Sequence, residues 1–308
     1  FSLHDNFDAV EGDFLQGITP LETANGERLV VLSWHGRNDK TQAYRIPANP
    51  AADTWELVTL ADISQNEDIS SGDIDGDGDQ DLLLGTIWLE QAASGWLHHE
   101  VADISSLDIN AMPDRNDLAD IDGDGDLDAT IGLELGSHIL WLRNTGNKEG
   151  KWRRRTIGNV EGQGFSMDTF DADGDGDPDV VVGEHRAAGG KNRIVLFENI
   201  EGGSTWRQHV IDLSGTERID HHDGTQAADL DGDGDLDLVS IGWHNPVVWA
   251  FENTSAPLPQ PTDIAPANGY SQLQIAVTPT RSATVNRVAE IVVDSRDLAF
   301  LARGNTFS

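Results

Sequence analysis

The stretch Asp73-Ile-Asp75-Gly-Asp77-Gly-Asp79-Gln-Asp81 sets a carboxylate at every second position, and the chain repeats this pattern at Asp120 to Asp128, Asp171 to Asp179 and Asp229 to Asp237. Carboxylates packed this densely repel one another unless a hard cation lies among them, and an all-oxygen donor set selects calcium over zinc or copper. The expected metal residues are Asp73, Asp75, Asp77, Asp79 and Asp81; Asp120, Asp122, Asp124, Asp126 and Asp128; Asp171, Asp173, Asp175, Asp177 and Asp179; and Asp229, Asp231, Asp233, Asp235 and Asp237. Positions 1, 3, 5 and 9 of each loop can offer side-chain oxygens and position 7 its backbone carbonyl, while glycines at positions 4 and 6 permit a tight turn. Four calcium ions, one per loop, follow from this reading.

A helix–loop–helix setting is excluded by what surrounds the loops. Such a calcium loop needs a glutamate at position 12, where this chain has Leu84, Ile131, Val182 and Ser240. Each loop runs instead into a short apolar segment such as Leu82-Leu83-Leu84-Gly85 or Val180-Val181-Val182-Gly183. A second apolar run follows in His138 to Leu142, Arg193 to Phe197 and Val247 to Phe251. The loops therefore join strand a to strand b of small antiparallel sheets.

Loop starts at 73, 120, 171 and 229 lie 47, 51 and 58 residues apart, the period of one four-stranded propeller blade. Strand d of a blade opens on an aromatic residue, at Trp96, Trp152 and Trp206, and Trp55 supplies a fourth copy ahead of the first loop. That extra copy implies a blade without a metal loop, turning at Ala24-Asn25-Gly26-Glu27. The last blade has strands a, b and c before Ser255-Ala256-Pro257-Leu258-Pro259-Gln260-Pro261. Phe1-Ser2-Leu3-His4 reads like its missing d strand. The expectation is an all-β, five-bladed propeller closed by its own N-terminal strand, which leaves no exposed edge. The alternative is part of a seven- or eight-bladed ring.

These loops, each followed by an apolar run ending in glycine, resemble the FG-GAP or VCBS repeats of secreted bacterial proteins. Similar repeats build integrin α-subunit propellers and a group of fungal propeller lectins. The likeness covers about residues 1–254 and implies fold and calcium. It leaves activity open, because such propellers serve as adhesins, lectins, lyases and dehydratases alike.

The formal charge of −34 argues against a nucleic-acid partner. No cysteine is present, so no disulfide holds the fold. No apolar stretch is long enough to span a bilayer, and membrane insertion is not expected. Calcium loops and the family likeness together imply a calcium-rich location: extracellular, at the cell surface, or periplasmic. Beginning at phenylalanine and lacking a secretion signal, the chain reads as a mature or excised part of a longer precursor. Residues 255–308 change character, with a proline-rich connector at 257–261 and strand-like runs at Leu273 to Val277 and Ala289 to Val293. They read as a small β-rich segment that either packs on the propeller or opens a truncated module.

Function is sought where loops gather. In a propeller the a–b turns lie at one end of the ring and the b–c and d–a loops at the other. The second set carries Trp34, His35, Arg37, Glu134, Glu184, His185, Arg186, Trp243, His244 and Asn245. It also holds the segments Asp114 to Asp117, Gly162 to Phe165 and Asp220 to Asp223, the last including His222. His4, His99 and His209 share one repeat position and read as structural, and Trp96, Trp152 and Trp206 read as filling between blades. His35, His185, His222 and His244 are not explained by the repeat. One reading is a glycan site built from Trp34, His35, Arg37, Arg115, Glu184, His185, Arg186, His222, Trp243, His244 and Asn245, with aromatic rings on sugar C–H faces and arginine on a uronate carboxylate. A second is a polysaccharide lyase or sugar dehydratase, with a base among His35, His185, His222 and His244 and anion-holding Arg37 or Arg115. Four histidines could also hold a transition metal. Protein adhesion is the third reading.

Overall fold

The computed structural model describes residues 6–8, 15–35, 40–65, 67–105, 107, 112–148, 151–190, 192–213, 221, 224–242, 248–253, 276–279 and 288–292. Phe1 to His4, Arg37, His222, Trp243, His244 and Asn245 lie outside the described residues.

The chain folds into five antiparallel sheets in sequence order. The first joins β1 (Leu15–Glu22), β2 (Arg28–Trp34), β3 (Thr41–Arg45) and β4 (Leu57–Ala61). The second joins β5 (Ser70–Gly72), β6 (Asp81–Leu84), β7 (Ile87–Ala92) and β8 (Gly95–Glu100), and the third β9 (Pro113–Ala119), β10 (Asp128–Leu133), β11 (His138–Arg143) and β12 (Arg153–Asn159). The fourth joins β13 (Gln163–Phe170), β14 (Asp179–His185), β15 (Arg193–Asn199) and β16 (Trp206–Leu213), and the fifth begins with β17 (Gly224–Ala228), β18 (Asp237–Ile241) and β19 (Val248–Phe251). Residues from the first strand of every sheet line one cavity of about 430 Å³. That shared cavity is the axis of a five-bladed propeller.

The apolar runs after each loop become the second strands, and their lack of alternation has a physical cause. A blade is covered on both faces by its neighbours, so every residue of β6, β10 and β14 is buried. Four apolar clusters fill the gaps between consecutive blades. Leu82 and Leu84 pack toward the first blade, while Leu83 and Trp88 face Ile131, Leu140 and Trp152 of the third. Trp141 and Ile139 meet Val180, Val182 and Phe197, and Val181 and Ile194 meet Leu238 and Phe251. Each fully buried leucine or valine contributes about 1.5–3 kcal/mol. Trp152 is buried between blades and Trp96 and Trp206 half-buried against the same clusters, as the repeat position suggested.

The closure differs from the expected one. Outside β19 lies β21 (Val288–Val292), paired antiparallel through Trp249↔Glu290, Ala250↔Ala289 and Phe251↔Val288, and beyond it β20 (Ala276–Pro279). The N-terminal residues that are described run instead beside the first blade, where Phe7 bridges Trp55 in parallel. The ring of Phe7 sits 5.2 Å from that of Tyr44 and 5.0 Å from that of Trp55. Aromatic contact thus holds residues 6–8 on the blade next to them in sequence. Of the strand-like runs in this part of the sequence, residues 276–277 and 289–292 fall within β20 and β21, and 273–275 and 293 lie outside the described residues.

Candidate metal loops and ligand-binding face

Each aspartate of a loop has a local backbone task as well as a charge. The first accepts from loop amides, as in Gly78 N to Asp73 Oδ2 at 3.0 Å and Gly176 N to Asp171 Oδ2 at 3.0 Å. The third caps the fifth and the fifth caps the seventh, as in Asp77 N to Asp75 Oδ1 at 3.1 Å and Asp79 N to Asp77 Oδ1 at 3.0 Å. These side-chain turns need a left-handed backbone in between, and Gly76, Gly78, Gly123, Gly125, Gly174, Gly176, Gly232 and Gly234 all have φ between 70° and 101°.

The ninth aspartate works differently. Asp81, Asp128, Asp179 and Asp237 are buried, and each accepts from the main chain at the end of the third strand: Gln91 N, Asn144 N, Asn199 N and Asn253 N, all at 2.7–2.8 Å. Burial, opposed by these bonds, pushes the carboxyls of Asp81 and Asp128 up to about 7 and that of Asp179 to about 6. The asparagines then tie blades together. Asn144 Nδ2 reaches Ile74 O in the preceding loop at 2.9 Å, Asn199 Nδ2 reaches Ile121 O at 3.0 Å, and Asn253 Nδ2 reaches Ala172 O at 3.1 Å.

Carboxylate oxygens converge to within 4.8 Å in four groups: Asp73, Asp75 and Asp77; Asp120, Asp122 and Asp124; Asp171, Asp173 and Asp179; and Asp229, Asp231 and Asp237. Oxygens on opposite sides of a calcium ion bound at 2.3–2.6 Å lie about 5 Å apart, so this spacing suits such an ion. Asp73 Oδ1 and Asp122 Oδ1 are also buried without a hydrogen-bond partner, a cost that a cation would remove. The donor set and geometry fit calcium. Asp79, Asp126, Asp177 and Asp235, at position 7, stand outside these groups. Positive side chains approach two loops: Lys148 pairs with Asp75 and Glu90, and Arg143 with Asp122 and Asp124.

At the opposite end of the ring, the second strands run further than their apolar runs suggest. β2 ends at Trp34 and β14 at His185, so Trp34 is 5% exposed and Glu184 fully buried. Both residues thus stand at strand ends, where the sequence suggested a loop. Glu184 braces the fourth blade, receiving Arg193 Nε at 2.8 Å, Arg193 N at 3.0 Å and Glu161 N at 2.7 Å. Asp114 to Asp117 lie within β9, not in a connecting loop.

His35 and Arg115 come together around a residue not singled out by the repeat pattern. His35 Nδ1 bonds Glu67, and Arg115 bonds Asp114 at 2.8 Å with Glu67 3.9 Å away. Burial raises the Glu67 carboxyl, against the opposing pull of His35, and raises that of Asp114 strongly. His185 occupies another setting, edge-on to Phe165 at 5.0 Å. Among the described residues, the only groups suited to a metal are the four loops, and none includes a histidine. His99 and His209 each pair with a glutamate of the neighbouring strand, Glu90 and Glu198, consistent with a structural role.

A cleft of about 350 Å³ opens between the third and fourth blades. Leu107, Leu133 and Leu135 form its apolar side, while Ser137, His138, Glu161, Gln163 and Arg186 supply polar groups. Arg186 has a φ of 54°, alone among the described non-glycine residues in a left-handed conformation. Its guanidinium lies 5.9 Å from the centre of the Phe165 ring and donates to Gln163 Oε1 at 3.3 Å. Such strain is commonly kept where a side chain must be aimed.

The sheets, axis and aspartate loops define a β-propeller whose blades turn on a repeated acidic motif. Residues 120–182, spanning the second metal loop to the second strand of the fourth blade, match the family model described as the FG-GAP-like repeat. No curated protein sequence matches it. Solved structures that resemble it include an Agrocybe aegerita lectin described by its specific recognition of non-reducing terminal N-acetylglucosamine. That likeness has 17% identity and a TM-score of 0.48, and covers 77% of this chain and 62% of the lectin's length.

Proposed function

We propose that this protein is a calcium-stabilised, extracellular or periplasmic propeller that binds an acidic polysaccharide on the face opposite its metal loops. The observation that carries the reading is the cleft between the third and fourth blades, which pairs a leucine-lined side with an aimed arginine. Sugars present apolar C–H faces beside hydroxyls, and a uronate adds a carboxylate for which guanidinium is the natural donor. The −34 charge opposes anions at long range, so attraction to Arg186 is local. Binding of the purified, calcium-loaded chain to uronate-containing and neutral glycans tests this. Arg186→Ala should weaken uronate binding about ten-fold or more, and equal binding by the variant would refute the cleft as the site.

A lyase is the second reading, favoured by the His35–Glu67 pair beside Arg115. An imidazole oriented by a carboxylate can take the proton α to a uronate carboxylate, and the electron pair then forms a double bond as the β-oxygen leaves. Arg115 is already bound to Asp114 and only 12% exposed, which leaves it little capacity to hold a substrate anion. Binding therefore ranks first. Absorbance of newly formed unsaturated sugars, lost in His35→Ala, would reverse that order.

A further inference from the structure

The axial cavity carries chemistry that neither the metal loops nor the cleft uses. Its wall holds three carboxyl groups from three blades, Asp68, Asp117 and Asp168, and the amide of Asn116. The three carboxyl groups are held by backbone amides. Asp117 accepts Leu118 N at 2.8 Å and Thr169 N at 3.0 Å, and Asp168 accepts Thr169 N at 2.9 Å and Ala227 N at 2.7 Å. Asp68 accepts Ile69 N at 2.8 Å and Asn116 N at 3.4 Å. Rigidly held acceptors of this kind are preorganised for a ligand.

Two further observations say what the ligand must offer. Asn116 is 5% exposed and accepts Ser70 Oγ at 2.9 Å, yet its Nδ2 donor has no partner. A buried donor left without a partner is costly, so an acceptor oxygen is wanted there. The carboxyls outnumber the cations: Arg115 is the cavity's one basic wall residue, and it is bound to Asp114. A bare metal ion does not answer this excess, because among the described residues no carboxylate trio converges here as it does in the loops. Carboxyls brought from three separate blades suit an organic cation.

We propose that the axial cavity is a second ligand site that takes a protonated amine bearing hydroxyl groups, the class to which amino sugars with a free amine belong. The ammonium lies among Asp68, Asp117 and Asp168, and a ligand hydroxyl accepts from Asn116. At about 430 Å³ the cavity holds a monosaccharide with room for water. Burial first, then the nearby Asp168 charge, raises the Asp117 carboxyl, and burial raises Asp68 and Asp168. Arg115, on the same strand as Asp117, is the facing charge of opposite sign, whereas β1 and β17 contribute only uncharged wall residues. An ammonium arriving here takes the place of the proton that burial favours on Asp117.

Calorimetry on the full calcium-loaded chain, with D-glucosamine as probe and D-glucose and N-acetyl-D-glucosamine as controls, tests the proposal. Glucosamine should bind at least about ten-fold more tightly than either control, with heats that vary with buffer ionisation because a proton is released. Asn116→Ala should weaken it about ten-fold. Ile18 lines the cavity and is 62% exposed, so Ile18→Lys keeps the fold while a tethered ammonium takes the ligand's place and abolishes binding. Should Asn116→Ala not fold, Ile18→Lys decides. Arg186→Ala leaves this site unchanged, which separates it from the cleft. No glucosamine binding, equal binding of glucose, or binding undiminished by Ile18→Lys would each overturn the proposal.

Discussion

At the scale of single residues, like side chains have unlike fates because neighbours differ. Glu67 and Glu184 are both buried glutamates at the same end of the ring. Glu184 meets the guanidinium of Arg193 and two backbone amides, while Glu67 meets an imidazole with 44% side-chain exposure. Removing one partner of a buried, fully bonded ion pair leaves the other uncompensated and costs about 3–5 kcal/mol. Glu184→Ala should therefore lower unfolding free energy by that amount in a denaturant titration. His35→Ala should change it by less than about 1 kcal/mol. A mild Glu184 variant would mean that Arg193 finds another partner. Neither role was legible in the chain, since Glu184 and His185 adjoin an apolar run that gives no sign of where the strand stops.

At the scale of strands, the inner strands act as both blade edges and cavity wall. Ser70, Asp117, Asp168 and Gln226 all stand three residues before a loop start, and all four line the axis. That regularity was present in the sequence and would have been found by aligning blades on their loops. Asp117 and Asp168 bond backbone amides of the next blade, so their protonation bears on blade cohesion. Their folded carboxyl pKa values stand above the unfolded value of about 3.9. The folded state then keeps a proton that the unfolded chain releases, and the stabilising contribution is full below about pH 4 and declines as pH rises through the folded value. With calcium saturating, Asp117→Asn should flatten this decline in thermal melts taken from pH 4 to 8. A variant as steep as the parent would place the proton elsewhere.

At the scale of the whole molecule, cohesion comes from apolar clusters between blades and from loops that carry twenty aspartates at one end of the ring. A ligand that binds only the folded state stabilises it by about 2.7 kcal/mol per site at one hundred times Kd. In a protein of this size 1 kcal/mol moves Tm by about 2–4 °C. Stripping metal with excess chelator should therefore lower Tm by roughly 5–10 °C for each loop emptied, and restoring calcium should reverse it. Among the described residues no helix is long and apolar enough to cross a membrane.

The repeated loops determined a great deal without help from the fold. Alternating aspartates and glycines dictate their own side-chain turns, the apolar runs after them are too short and unbroken for anything but buried strands, and the spacing of copies gives the length of a blade. These are local properties, and local properties are written in consecutive residues. Tertiary structure alone decided which strand lies outside β19, because edge pairing is set by what can reach that edge, and β21 reached it. It likewise decided that Asp68, Asn116, Asp117 and Asp168 share one cavity while His35 and His185 keep separate company. Those juxtapositions arise from closing a ring, which brings Asp68 and Asp168, 100 positions apart, to one cavity by a geometry that no stretch of sequence contains.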